Sequence, residues 1–122
     1  MAAESFTVSG HLEEDYRTFM LTFEYRVNGR VVVTYKPGFT EDVGFTFLDI
    51  ANCIRERRPR RFLFTRYVGR ESHDITVDEN GDVTIEVCSE PAEFTMILSV
   101  GGMMCVDCFV SAHELWEAGT SI

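Results

Sequence analysis

Residues 17–35, RTFMLTFEYRVNGRVVVTY, decide the fold class of this 122-residue chain. Apolar and polar side chains alternate from residue 17 to residue 27, which is the period of a half-buried β-strand. Asn28-Gly29 then favours a tight turn, and apolar residues return at odd positions after it. The segment therefore predicts a β-hairpin with one apolar face.

The register of this hairpin follows from keeping its apolar side chains on one face. A two-residue loop would divide them between the two faces, because a shift of one residue turns each side chain over. A three-residue loop with Gly29 in the left-handed conformation avoids that division. We therefore expect Tyr25 to pair with Val31 and Phe23 to pair with Val33.

A second hairpin is predicted around the Glu-Asn-Gly turn at residues 79–81. The flanking segments again alternate between apolar and polar side chains. A three-residue loop pairs Val77 with Val83 and Ile75 with Ile85, and it turns the intervening polar residues toward water.

One main helix is predicted between the two hairpins, at about residues 46–58. It begins at a cap that is either Thr40 or Thr46, and it ends before Pro59. Residues 62–68 then form a further strand. The apolar side chains at helical spacing are Phe47, Ile50, Ala51 and Ile54.

Residues 94–112 carry Asp107 as their only charged side chain. A stretch of this length would fit a membrane span. The glycine pair at 101–102, the aspartate and the lack of basic flanking residues argue against one. We instead expect a third hairpin, formed by 94–100 and 103–110 and buried on both faces.

A short C-terminal helix is expected at about residues 112–118. Ser111 and Glu114 have the spacing of a capping box, and Gly119 lies where a C-cap glycine is common. Residues 94–110 also fit part of a longer helix, so this alternative stays open.

These elements predict an α+β protein whose residues 1–122 form one domain. About seven strands, built from consecutive antiparallel hairpins, make a strongly curved or two-layer sheet beside the two helices. A chain of 122 residues with 45% apolar residues can bury a core without metal or disulfides. The same composition excludes disordered, collagen-like and disulfide-scaffold classes.

The first ten residues lack a basic segment followed by an apolar one, so we expect no secretory signal and a cytoplasmic protein with reduced cysteines. Cys105 and Cys108 form a CxxC, a spacing found in zinc sites and dithiol redox centres. On a strand their sulfurs point to opposite faces, whereas a helix beginning at Met104 brings them near His113. We expect core cysteines, with no metal and no cofactor.

Two short patterns resemble functional motifs only in their letters. Residues 72–74, Ser-His-Asp, hold the side chains of a catalytic triad, but a triad must converge in space, so we expect a polar strand entry. Residues 78–82 have a calcium-loop composition with the glycine at the wrong position, so we expect a turn. Since no phosphate loop is present either, we predict that the protein is not an enzyme.

The charge distribution is the feature that points to function. The chain has a net charge of -9, yet one segment is strongly basic. Cations at the end of the main helix complement its dipole, and a cluster of them is also suited to binding an anion. The candidate anion-binding residues are Arg55, Arg57, Arg58, Arg60, Arg61, Arg66 and Arg70.

The acidic residues cluster in predicted loops. A small acidic protein without a catalytic constellation is typical of proteins that block a basic partner, because charge steers their association. Acidic loops also keep a β-rich protein soluble. The candidate partner-binding residues are Glu13, Glu14, Asp15, Glu41, Asp42, Asp78, Glu79 and Asp82.

Our leading hypothesis is a small acidic, non-enzymatic binding protein that inhibits or adapts a basic macromolecular partner, as immunity and anti-defence proteins do. The first alternative is a nucleic-acid or phosphate-binding module that uses the arginine cluster. The second is a structural or assembly subunit, such as a homo-oligomer, that associates through sheet edges. None of the three involves a membrane.

Overall fold

The alternating segments of the chain form two antiparallel sheets, and two helices complete the fold. The computed structural model describes residues 3–12, 19–39, 44–66, 71–89 and 93–120. In this part of the chain the strands are β1 (Glu4–Leu12), β2 (Phe19–Val27), β3 (Arg30–Tyr35), β4 (Gly38–Phe39), β5 (Arg60–Arg66), β6 (Glu71–Val77), β7 (Val83–Ser89) and β8 (Glu93–Val100), and the helices are α1 (Phe47–Glu56) and α2 (Gly102–Thr120). The predicted α+β class with antiparallel strands in two layers is confirmed.

The first sheet has the order β1-β2-β3, and the short β4 also pairs with β2. Asn28 and Gly29 both have positive φ, 52° and 80°, as a two-residue hairpin turn requires. Val27 accordingly lies opposite Arg30. The three-residue loop predicted for this hairpin is therefore wrong.

The pairing predicted for Tyr25 and Phe23 is wrong as well. Tyr25 lies opposite Val33 and Phe23 opposite Tyr35, because the register shifts at a bulge that adds Val32 to β3. A bulge turns the following side chains over, so the apolar residues of both strands return to one face. The apolar side chains of the hairpin therefore share one face, as the prediction assumed. The bulge, rather than a three-residue loop, brings this about.

The second sheet has the order β5-β6-β7-β8, so each strand pairs with its neighbour in the sequence. The predicted pairs of Val77 with Val83 and of Ile75 with Ile85 are confirmed. The strand predicted at 62–68 is β5, although residues 67 and 68 lie outside the described part of the chain.

Helix α1 begins at Thr46, one of the two caps that the sequence allowed; the other, Thr40, lies outside the described residues. The backbone N–H of Asp49 donates to the Thr46 hydroxyl at 3.2 Å, and that of Thr46 donates to the Asp49 carboxylate at 2.8 Å. This reciprocal box satisfies two N–H groups at the helix start. The predicted inward residues are all buried: Phe47, Ile50, Ala51 and Ile54.

The third predicted hairpin is wrong after its first strand. Strand β8 forms as expected, but residues 103–110 are helical and belong to α2, which is much longer than the helix predicted at 112–118. Ser111 and Gly119 lie inside α2, so neither caps it. The alternative of a longer helix is correct for residues 102–110 and wrong for residues 94–100, which form β8.

The buried side of α2 explains why its sequence resembles a doubly buried strand. This helix packs against β1 and α1, and the buried residues recur at helical spacing. Gly102 begins the helix, and its N–H donates to the carboxylate of Asp82 at 3.3 Å. Because the capping carboxylate belongs to Asp82, twenty residues earlier, the sequence around Gly102 has no capping residue that predicts a helix start. The buried residues are Cys105, Cys108, Phe109 and Ala112.

One hydrophobic core joins both sheets and both helices. Phe23 lies at its centre, 1% exposed, with ring centroids from both helices and from two strands within 6 Å. These neighbouring rings are Phe6, Tyr35, Phe47 and Phe109. Neither described helix is both long and apolar enough to cross a membrane.

Candidate functional site

The outer face of the second sheet is the side turned away from the core. Side chains alternate along a strand, so cross-strand pairing aligns one outward residue from each of the four strands. We call this alignment the outer row; it consists of Leu63, Asp74, Glu86 and Ile97. Leu63 is 50% exposed and Ile97 is 57% exposed. The outer row thus presents two large apolar side chains with two carboxylates between them.

Arg61 lies beside the outer row and binds Asp74. Its Nε is 3.0 Å and 2.9 Å from the two carboxylate oxygens, and an Nη nitrogen is 2.7 Å from one of them. The hydrogen bond to Asp74 raises the pKa of Arg61, and the charges of Asp74 and Glu86 add to the effect. Asp74 pairs with the Arg61 guanidinium, and Glu86 lies near it without a direct ion pair among the described residues, so this part of the face keeps a negative charge.

The turn between β6 and β7 contains three of the predicted acidic residues. Asp78 Oδ1 accepts hydrogen bonds from the N–H groups of Asn80, at 2.8 Å, and Asp82, at 2.9 Å. Asp82 in turn accepts from the first residue of α2. These two carboxylates therefore shape the turn and the helix start, while Glu79 is exposed at the tip. Their role in partner binding stays a prediction.

The other predicted acidic residues lie outside the described part of the chain. In the sequence, three of them precede β2 and two precede α1. Their role also stays a prediction. They are Glu13, Glu14, Asp15, Glu41 and Asp42.

Most of the predicted arginine cluster surrounds the end of α1 and the start of β5, where it is exposed. Arg58 donates to Cys53 Sγ at 3.7 Å and pairs with Glu56 at 3.0 Å, and these interactions raise its pKa in that order. The Arg60 guanidinium lies 4.5 Å from the centre of the Phe62 ring, a cation–π contact. Two of the exposed guanidinium groups are therefore engaged by neighbours on their own segment.

Arg55 and Arg57 are exposed, and no described carboxylate pairs with either. Arg57 caps the helix end in the left-handed conformation, at φ 52° and ψ 43°. Arg66 is the last residue of β5, whereas Arg70 lies outside the described residues. Arg55 and Arg57 are thus exposed cations without an ion pair among the described carboxylates.

The basic and acidic clusters meet at one end of the molecule. A Cβ placed on Gly81 would lie 2.8 Å from the carbonyl oxygen of Ile54 and 3.6 Å from Cγ of Arg57. Arg57, at the end of α1, therefore lies directly against the acidic turn. Charges that form separate segments in the sequence are neighbours in the fold.

The CxxC cysteines lie in the first two turns of α2, on its buried side. Cys108 Sγ donates to the carbonyl oxygen of Phe6 at 2.8 Å, and Cys105 Sγ to that of Gly102 at 3.8 Å. Burial, with the charge of Cys108 adding to it, raises the pKa of Cys105 to about 12. Burial also raises the pKa of Cys108, so it favours the thiol form of both cysteines over the thiolate that zinc or redox chemistry needs.

His113 does not join these cysteines as the sequence led us to expect for a helix. Its Nε2 lies 2.6 Å from a carboxylate oxygen of Glu117, one turn further along α2. Nowhere in the described ranges do three or more His, Cys, Asp or Glu side chains gather as a metal site would require. Because α2 rises by about 1.5 Å per residue, Cys105 and His113 are about 12 Å apart along its axis.

His73 is a buried residue that the sequence analysis missed. It is 1% exposed, and its Nδ1 lies 2.8 Å from the hydroxyl of Tyr35. Ser72 and Asp74 point to the opposite face of β6, so no catalytic triad forms. The alternation that turns Ile75 inward, extended by two residues, would have found His73.

Comparisons of the chain with protein families, with characterised proteins and with solved structures find no match.

Proposed function

We propose that this protein is a non-enzymatic binding protein that inhibits or adapts a basic macromolecular partner, and that the outer face of its second sheet is the binding surface. The observation that carries the proposal is the outer row. There, exposed Leu63 and Ile97 flank the carboxylates of Asp74 and Glu86 on a regular four-stranded sheet.

Both kinds of side chain have a physical role in such a surface. Single exposed apolar residues are common, but two large ones on one rigid row provide anchors that a partner can desolvate. The carboxylates between them would select partners by charge, since a like-charged surface is repelled. A sheet holds these groups at fixed spacing, so binding loses little conformational entropy.

Charge supports a basic partner. The outer face and the adjoining turn together carry five carboxylates, of which Asp74 pairs with Arg61, and the whole chain has a net charge of -9. A protein with such a field attracts a basic partner over about 10 Å at moderate salt and raises its association rate. The five carboxylates belong to Asp74, Asp78, Glu79, Asp82 and Glu86.

We further propose that the protein is cytoplasmic. All four cysteines are free, and three of them are buried, an arrangement suited to the reducing cytoplasm. We also propose that the protein is not an enzyme, because its function as stated needs a surface and no reacting group.

Comparative affinity purification tests the binding surface. The wild-type chain and the double variant L63K/I97K serve as baits in lysate of the native host. The matched control is V31K/V32K, since Val31 and Val32 are 45% and 58% exposed on the other sheet. We expect wild type and V31K/V32K to capture the same basic protein in stoichiometric amount, and L63K/I97K to lose it. Retention by L63K/I97K would contradict the proposal.

Nucleic-acid or phosphate binding is the second candidate, favoured by the exposed guanidinium groups of Arg55 and Arg57. If it is correct, a labelled oligonucleotide binds at low salt and the R55A/R57A variant loses that binding. The acidic turn beside these arginines opposes it, because phosphates are repelled there. A wild-type chain that retards no oligonucleotide at low salt excludes this candidate.

A further inference from the structure

A cavity of about 550 Å³ lies between the two sheets, on the side opposite the outer row. Its described lining includes the end of β3 and the inward side of β6, β7 and β8. This volume falls within the range of sites that hold small molecules. The cavity is thus large enough for a ligand of the size of an amino acid or a short peptide.

The lining combines opposite charges with an apolar wall. Lys36 contributes an exposed ammonium group, and Glu71 contributes a half-buried carboxylate. Val87 and Met96 lie opposite each other on β7 and β8 and supply apolar contacts. A ligand that satisfies all of these groups has a negative end, a positive end and an apolar body.

Tyr35 and His73 form a buried hydrogen-bonded pair that lines the cavity together with Glu71. Burial raises the pKa of Tyr35 well above its usual value, so its hydroxyl keeps the proton and can donate to Nδ1 of His73 at 2.8 Å. Nε2, the other ring nitrogen of His73, lies 3.6 Å from Oε1 of Glu71. Phe64 stacks on the imidazole with ring centroids 4.7 Å apart and fixes its plane.

We propose that this cavity binds a zwitterionic small molecule of the α-amino-acid type with an apolar side chain. The ligand carboxylate lies at Lys36, its ammonium group lies at Glu71, and its side chain packs on Val87 and Met96. A carboxylate accepts several hydrogen bonds, so Glu71 can receive the ligand ammonium group beside His73. This site is separate from the proposed partner-binding surface, and neither proposal depends on the other.

Titration of the isotope-labelled chain with L-leucine and L-phenylalanine, followed by amide NMR, tests the proposal. At about 20 mM ligand, a site with a millimolar Kd is nearly saturated. We expect shifts at the amides of Lys36, Glu71 and Val87. N-acetyl-leucine lacks the ammonium charge and leucinamide lacks the carboxylate, so each should bind at least about tenfold more weakly.

Matched variants locate the binding. K36Q and E71Q should each weaken L-leucine binding about tenfold or more. R30Q removes a charge from the other end of β3, and E86Q removes one from the other face of the same sheet, so both should bind as wild type does. The proposal is overturned if neither amino acid shifts these amides. It is also overturned if N-acetyl-leucine binds as well as L-leucine, or if K36Q and E71Q bind normally.

Discussion

Arg57 is an arginine in a position that usually belongs to glycine. Its left-handed backbone satisfies the carbonyl groups at the end of α1, since its N–H bonds back to Ile54 and Cys53. A side chain other than that of glycine costs about 1 kcal/mol in this conformation. The position therefore carries backbone strain that glycine would relieve.

We expect R57G to raise the free energy of unfolding by about 1 kcal/mol, because the strain disappears. The matched control is R55G, which also removes one exposed arginine but places glycine within α1, where it should cost about 1 kcal/mol. Urea unfolding followed by circular dichroism measures both. A loss of stability in R57G similar to that in R55G would show that the left-handed cap is not strained.

Cys105 predicts a pH dependence of stability. Its pKa is about 12 in the fold, against about 9 for an ordinary thiol, because burial disfavours the thiolate. Stability from this group is complete below pH 9 and is lost as pH rises toward 12, since only the unfolded chain releases the proton easily. The temperature of half unfolding should therefore decrease as the pH rises from 9 to 11, and this decrease should be smaller in C105A. Equal slopes in both proteins would contradict the buried thiol.

The residues that sequence analysis found are those whose partners lie nearby in the chain. Thr46 could be recognised as a cap because Asp49 follows three residues later. The inward position of His73 follows from the alternation of β6, but its partner Tyr35, 38 residues away on the other sheet, could not be predicted. Asp82 was interpreted as part of a solvated acidic loop, whereas its carboxylate accepts from the start of α2.

At the scale of elements, helix α2 shows where hydrophobic periodicity fails to distinguish a helix from a strand. The strands β2 and β6 alternate visibly, so both hairpins could be predicted. The register of β6 with β7 was correct, whereas the bulge in β3 shifted the register of β2. Helix α2 is apolar on several sides at its start, and a run of that kind fits a buried strand equally well. A remote cap and a tight glycine contact, rather than a local signal, determine where it begins.

Gly102 is where α2 meets the turn between β6 and β7. A Cβ at this position would overlap the carbonyl oxygen of Gly81 and lie 2.7 Å from a methyl carbon of Ile54. G102A should therefore lower the free energy of unfolding by about 2–4 kcal/mol. Gly101 has only a carboxylate oxygen of Asp82, at 3.9 Å, near its Cβ position. G101A should cost less than about 1 kcal/mol, and equal costs in urea unfolding would contradict this contact.

At the scale of the whole molecule, the fold rearranges the charges that the sequence separates. The basic segment and the acidic turn become neighbours at one end, while the outer row keeps its carboxylates between apolar anchors. The predicted acidic surface is thus extended by Asp74 and Glu86, which no loop pattern identified. They could have been found only from the register of four strands, which depends on pairing across the entire sheet.

Site-specific photo-crosslinking tests the central claim, that the outer row meets a basic partner. A photoreactive residue replaces Ile97 in one bait and Val32 in the other; the two native side chains are 57% and 58% exposed on different sheets. We predict that position 97, and not position 32, crosslinks to a single lysine- or arginine-rich protein, and that added salt reduces the yield. Crosslinking from position 97 to a second copy of this chain, or to no protein above the level seen at position 32, would contradict the account.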